Sequence, residues 1–106
     1  MKQPICLILF AAAFACLAGC QIYSNPAPLI SAETAKHAGQ SDAVLREGRA
    51  LFVTRCIECH ALPVVTHHRA EIWPHLVDKM AARADLKPAE REALAAYLVT
   101  LRHTLP

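Results

Sequence analysis

The chain has 106 residues, with 11 lysines and arginines against 9 aspartates and glutamates, which gives a formal charge of +2. This length permits one small domain and excludes two. Because the sequence contains no run of lysine or arginine, the basic patch that binds nucleic acid is missing, and we expect no nucleic-acid partner. The apolar fraction of 55% is high for a soluble protein, and much of the excess lies in the first 20 positions.

The first 20 residues have the organisation of an export signal. Met1 and Lys2 form a charged start, an apolar run extends from Ile5 to Ala18, and Gly19 follows as a small residue. The apolar run is shorter than the roughly 18 residues that a membrane-spanning helix needs. The sequence therefore predicts a cleaved signal peptide and an exported protein.

The end of this segment, Leu17–Cys20, resembles the lipobox of bacterial lipoproteins. The resemblance implies cleavage of residues 1–19, acylation of Cys20, and anchoring on the periplasmic side of a membrane. Two or more acyl chains on one terminus make such anchoring stable. Gln21, which is not Asp, favours the outer membrane under the sorting rule of some bacteria. An ordinary signal cut in the same small-residue stretch is the alternative.

Residues 20–40 are typical of a tether, because they carry Ser, Asn, Pro and Gly residues without sustained periodicity. About 20 residues of flexible coil span roughly 25 Å, enough to hold a domain off a bilayer. A short helix across Ser31 to Ala38 is compatible with this stretch. We expect the folded domain at residues 41–106.

Three helical patterns follow. The first begins at Ser41 or Asp42 as N-cap. The second covers about 70–83, with Pro74 in its first turn, where the missing N–H costs nothing. The third begins at Pro88 and carries apolar residues at i, i+3, i+4 and i+7. No stretch alternates convincingly, so we predict an all-α fold of about three helices and no sheet.

A domain this small needs an additional stabilising link, because it falls below the roughly 70 to 80 residues at which one hydrophobic core is sufficient for stability. The candidate is Cys56-Ile57-Glu58-Cys59-His60, a C-x-x-C-H attachment signature for c-type haem. Cys56 and Cys59 stand at i and i+3 on a helical turn, so they can reach two vinyl groups as thioethers, while His60 ligates iron. In the cytosol, a thioredoxin-like redox pair or a zinc site would compete with this interpretation.

Around this motif the chain resembles the small monohaem c-type cytochromes of class I, over roughly residues 42–102. Gly48 and Phe52 match the glycine and aromatic residue of the family's N-terminal helix, and Tyr97 matches the aromatic residue of the C-terminal helix that crosses it. A glycine lets a second backbone approach closely, and the two rings can pack edge to face. Lys87 departs from the pattern, since relatives often carry Ser, Thr or Asp there. The resemblance implies a cytochrome c-like fold around one covalent haem c.

The expected distal ligand of the iron is Met80, the only methionine that remains after processing. It lies far enough beyond His60 for the chain to pass round the haem edge. The resemblance implies a methionine ligand near this position, on or after a helix that begins with tryptophan, and Trp73 matches that tryptophan. The alternatives are His67 or His68 as ligand, an open distal site, and Met80 as core filler.

Four further residues are also assigned. The indole N–H of a buried Trp73 needs an acceptor, which a haem propionate would supply. Plain core packing of Trp73 is the alternative. Pro63 is placed to orient the His60 ring through its carbonyl. His75 and His103 are expected to face solvent.

These features predict an electron carrier rather than an enzyme, either alone or as the cytochrome subunit of a larger oxidoreductase. A haem sensor or enzyme subunit with an open distal site and a zinc-binding module are the alternatives. Basic and acidic side chains nearly balance in the domain, so we expect brief and mostly apolar docking on a dehydrogenase, an oxidase or another cytochrome. The lipid bilayer, reached through Cys20, is the other expected partner.

Overall fold

The computed structural model describes residues 25–106, so the predictions for the signal peptide and Cys20 lie outside the described residues. Four α-helices follow in chain order: α1 at Ala32–His37, α2 at Asp42–Arg55, α3 at Trp73–Ala81 and α4 at Pro88–Thr104. Between α2 and α3 lie three 3₁₀ turns, at Cys56–Glu58, Val65–His67 and Ala70–Ile72. Residues 25–106 contain no strand, which confirms the all-α prediction for this part of the chain.

The start of α2 is the predicted one. The Ser41 hydroxyl accepts a hydrogen bond from the Val44 backbone N–H at 3.1 Å, which satisfies one of the free donors of the first turn. This contact selects Ser41 over Asp42 as the N-cap. The helix then continues without interruption to Arg55, directly before the C-x-x-C-H motif.

The α3 helix is shorter than the predicted span of 70–83. Because Pro74 has no N–H, it cannot donate to the Ala70 carbonyl as an α-helix requires. The Trp73 N–H donates to that carbonyl instead, which makes the preceding turn 3₁₀. At the other end, Asp85 has a φ of 51°, and the chain reverses toward α4.

The start of α4 compensates for the unusual Lys87. Pro88 occupies the first turn, as predicted, and the Glu90 carboxylate accepts a hydrogen bond from the Lys87 backbone N–H at 2.8 Å. This contact is the Glu half of a capping box, which works through the backbone and does not need a capping side chain at the N-cap. The helix therefore begins at Pro88 without the residue type that the resemblance would place before it.

The core of the domain is the crossing of α2 and α4. Gly48 is buried at this crossing, and a Cβ atom built on it would lie 2.6 Å from Tyr97 Cβ and would also overlap the Ala93 carbonyl. The predicted close approach at Gly48 is therefore confirmed. The Phe52 and Tyr97 rings are fully buried beside it, with centroids 6.1 Å apart. Their planes meet at 48°, so the pair is tilted rather than edge to face.

The described part of the predicted tether, residues 25–40, lies against the helical domain. Ala27 and Ala35 are buried, and the Arg49 Nε of α2 donates to the Ala27 carbonyl at 2.7 Å. The composition of this segment resembles that of a linker. The contacts that hold it in place are made with residues far away in the sequence, so they leave no local pattern. Within residues 25–106, we find no helix that is both long enough and apolar enough to cross a membrane.

Candidate functional site

An apolar cleft opens between the end of α2, α3 and α4. The space between its walls, which is open to solvent, is about 400 Å³. The side chains that line it are Phe52, Cys56, His60, Pro63, Trp73, Leu76, Val77, Met80, Ala84, Leu86, Leu94 and Leu98. Apart from the His60 ring, the Trp73 indole N–H and the sulfur atoms of Cys56 and Met80, these walls are hydrocarbon.

A second cavity continues the cleft outward. Its empty volume is about 550 Å³, and it is lined by Arg55, Cys56, Cys59, His60, Met80, Arg83 and Ala84. Cys56, His60, Met80 and Ala84 belong to both cavities, so the two form one site with an apolar interior and a wider mouth. The predicted attachment residues and the predicted distal ligand therefore share one cleft.

The two cysteines stand at the mouth of this cleft as free thiols. Cys56 begins the 3₁₀ turn Cys56–Glu58, and a 3₁₀ turn has three residues, so side chains at i and i+3 lie one above the other. This geometry places Cys59 on the same side as Cys56. Cys56 is half-buried, and this burial raises the pKa of its thiol. The neighbouring Cys59 raises the same pKa by a smaller amount.

His60 is exposed, and one of its ring nitrogens has a backbone partner. Its Nδ1 lies 2.7 Å from the Ala61 carbonyl oxygen. In the tautomer with the proton on Nδ1, this nitrogen donates to the carbonyl and Nε2 keeps the lone pair that a metal needs. The orienting carbonyl belongs to Ala61, whereas the sequence suggested Pro63, which instead lines the cleft wall.

Met80 and the competing histidines occupy different places. Met80 lies in the last turn of α3 and lines both parts of the cleft, with 37% of its surface exposed. His67 and His68 are exposed and lie outside the cleft lining. The predicted exposure of His75 and His103 is confirmed.

Trp73 is almost completely buried, with 2% of its surface exposed. Its Nε1 atom is also buried and has no hydrogen-bond partner among the described residues. A buried donor without a partner costs about 1–3 kcal/mol, so plain core packing leaves this N–H unexplained. The His68 ring stands edge-on to the indole, with centroids 5.5 Å apart. A bound group that carries an acceptor would satisfy the Trp73 N–H.

Arg55 is a site residue that the sequence patterns did not indicate. Its guanidinium donates to the Ala84 carbonyl at 3.0 and 3.3 Å and to the Asp85 carbonyl at 3.1 Å. It therefore ties the end of α2 to the loop after α3, which supplies Ala84 and Leu86 to the cleft wall. Local periodicity does not indicate that the side chain of this arginine contacts backbone about 30 residues away in the sequence.

No protein-family model, curated protein or solved structure matches the chain. In the part of the chain that the structure describes, no three His, Cys, Asp or Glu side chains come close enough to hold a metal ion. The geometry of the cleft is therefore the basis for assigning a function.

Proposed function

We propose that this protein is a single-electron carrier with one covalently attached haem c, of the small class I cytochrome type. The observation that carries the proposal is the composition of the cleft: both thiols of a C-x-x-C-H motif, the following histidine and a methionine line it. The rest of its lining is largely apolar, and one lining residue, Trp73, has a buried indole N–H without a partner. Each of these features matches one part of a haem.

Each residue has a distinct task in this proposal. The thiols of Cys56 and Cys59 add across two vinyl groups, each giving its sulfur to one carbon and its hydrogen to the other, so no external oxidant or reductant is needed. His60 is the proximal ligand and Met80 the distal ligand. The Trp73 N–H donates to a propionate.

The haem, when bound, supplies an iron that alternates between the ferric and ferrous states. The apolar walls exclude water and disfavour the extra positive charge of the ferric state, and the Met80 sulfur acts in the same direction. Both effects favour a relatively high reduction potential. The balance of basic and acidic side chains supports brief, mostly apolar docking on a redox partner such as a dehydrogenase, an oxidase or another cytochrome.

The proposal also includes the location of the protein. The signal-like residues 1–19 support export, and the lipobox-like Leu17–Cys20 supports acylation of Cys20 and anchoring on the periplasmic side, with the outer membrane favoured by Gln21. Replacing Cys20 with Ser tests this part. We expect the variant either to be released as a soluble haemoprotein or to accumulate unprocessed, whereas a soluble wild type with another N-terminus would contradict anchoring.

The haem is tested first on protein produced in a periplasm with its maturation machinery. Wild type should keep its haem on a denaturing gel and in the protein precipitate of acid–acetone extraction, whereas the Cys56→Ser/Cys59→Ser double variant should lose it. Pyridine haemochrome absorbance distinguishes a haem protein from a zinc module that uses the same cysteines. Haem that leaves wild type into the organic phase would contradict covalent attachment.

The distal ligand is tested on the same haem protein. Oxidised wild type should show the weak far-red band of iron–methionine ligation, and Met80→Ala should lose it and bind carbon monoxide when reduced. His67→Ala and His68→Ala are the matched controls and should keep the band. Tight carbon monoxide binding by wild type would instead indicate an open distal site, as in a sensor or an enzyme subunit.

A further inference from the structure

The N-terminal part of the described chain makes one hydrogen bond within itself and is held on the domain by two more. The Asn25 side chain accepts from the Ala27 N–H at 3.0 Å, and the Arg49 Nε donates to the Ala27 carbonyl at 2.7 Å. The buried Tyr97 hydroxyl donates to the Pro28 carbonyl at 2.8 Å. Because the last two donors come from α2 and α4, residues 25–28 are fixed to the crossing of these helices. The point at which the chain leaves the domain is therefore defined.

A surface groove lies at this exit point, and we call it the terminal groove. It is lined by Asn25, Pro26, Leu62, Pro63, Val64, Val65, Thr66, Leu105 and Pro106. None of these side chains is ionisable, and Val64 exposes 53% of its surface. Uncharged and largely apolar side chains of this kind can enter a membrane interface without the cost of burying a charged side chain.

The chain between Cys20 and this groove is short. Five peptide links separate Cys20 from Asn25, and they span at most about 18 Å when fully extended. With an acylated Cys20 held at the bilayer, Asn25, which lines the groove, cannot lie farther than this from the membrane interface. A flexible tether over residues 20–40, as the composition predicted, would have allowed the domain to rotate freely relative to the membrane.

We propose that the terminal groove is a membrane-docking surface that rests on the lipid bilayer to which Cys20 is anchored. This inference rests on the acylation of Cys20 in the proposed function. Pro63 lines both the terminal groove and the apolar cleft, so docking in this orientation holds one wall of the cleft beside the bilayer. The domain then presents its cofactor edge near the membrane plane, where a membrane-bound redox partner would meet it.

The test measures thiol reactivity in the full, haem-loaded, acylated protein. Wild type has no free thiol in the proposed state, because Cys6 and Cys16 leave with residues 1–19, Cys20 is acylated, and Cys56 and Cys59 are thioethers. Val64→Cys adds one thiol in the terminal groove, and Glu92→Cys adds a control thiol on α4. Glu92 is exposed and lies about 18 Å along the helix axis from the end of α4 that adjoins the groove. Each variant is treated with a water-soluble maleimide in phosphatidylethanolamine–phosphatidylglycerol vesicles and in detergent.

We expect the Val64→Cys thiol to react at least about tenfold more slowly in vesicles than in detergent, because the interface shields it. The Glu92→Cys thiol should react at the same rate in both. Val64→Cys combined with Cys20→Ser, in a preparation from which residues 1–19 have been removed, should react fast when vesicles are added. Equal rates for Val64→Cys in vesicles and detergent would overturn membrane docking. Slow reaction in both would also overturn it, since another protein surface would then cover the groove. Reaction of wild type itself would overturn the proposed attachment chemistry, so the two failures are distinguishable.

Discussion

Replacing Gly48 with Ala tests whether the crossing of α2 and α4 determines the stability of this domain. The new Cβ atom would lie 2.6 Å from Tyr97 Cβ and would overlap the backbone carbonyl of Ala93. A flexible side chain could turn away from such a contact, but a helix backbone cannot. The two helices must therefore separate, and the adjacent buried pair of Phe52 and Tyr97 must repack.

Two opposing effects decide the sign of the change. In a helix, Gly→Ala stabilises by about 0.5–1 kcal/mol, because the glycine backbone loses more entropy on folding. Overpacking a core costs about 1–3 kcal/mol, and contact with backbone puts Gly48 at the upper end of that range. We therefore expect Gly48→Ala to lower the free energy of unfolding by about 2 kcal/mol. For a domain of this size the melting temperature would fall by about 8–16 °C.

The assay is urea unfolding of the haem-loaded protein, followed by far-ultraviolet circular dichroism. Ala50→Gly is the matched control, because Ala50 is exposed in the same helix and should cost only the helix-propensity difference of about 0.5–1 kcal/mol. A Gly48→Ala variant as stable as wild type, or more stable, would refute the close packing of α2 against α4 at this residue.

Four further variants test the site and the fold. Met80→Ala should remove the far-red absorption band and allow carbon monoxide to bind the iron. An unchanged low-spin spectrum would show that another residue is the distal ligand. Trp73→Phe should keep the haem but shift its reduction potential in a redox titration, since the propionate loses its donor; an unshifted potential would contradict that contact. Arg55→Met should lower the free energy of unfolding by about 2 kcal/mol through loss of its carbonyl contacts, whereas Arg83→Met, at the same cleft mouth, should leave it unchanged. The Tyr97 hydroxyl donates to the Pro28 carbonyl, so wild type should be more stable than Tyr97→Phe below about pH 10. Because burial raises the pKa of Tyr97 to about 12, this advantage should shrink as the pH rises from about 10 to about 12, and a constant difference in parallel unfolding curves would contradict it.

The local features of this protein could be predicted from its sequence because they depend on residues close together in the chain. Ser41 caps α2, Pro88 opens α4, and the all-α class follows from periodicities of three and four residues. The C-x-x-C-H motif is likewise local, so the candidate attachment residues Cys56, Cys59 and His60 could be named before any fold was known.

Other features depend on contacts between distant residues, and the tertiary structure decided them. Residues 25–40 have the composition of a linker, yet Arg49 and Tyr97 hold their backbone on the domain from 22 and 69 positions away. The carbonyl beside His60, the Arg55 contacts with the loop after α3 and the missing partner of the Trp73 N–H all depend on how the chain returns on itself. Hydrophobic pattern determines which residues are buried, but only packing determines which donor meets which acceptor. For this reason the sequence indicated the chemistry of the cleft, while the structure showed that its residues share one cavity and that the N-terminal segment is part of the fold.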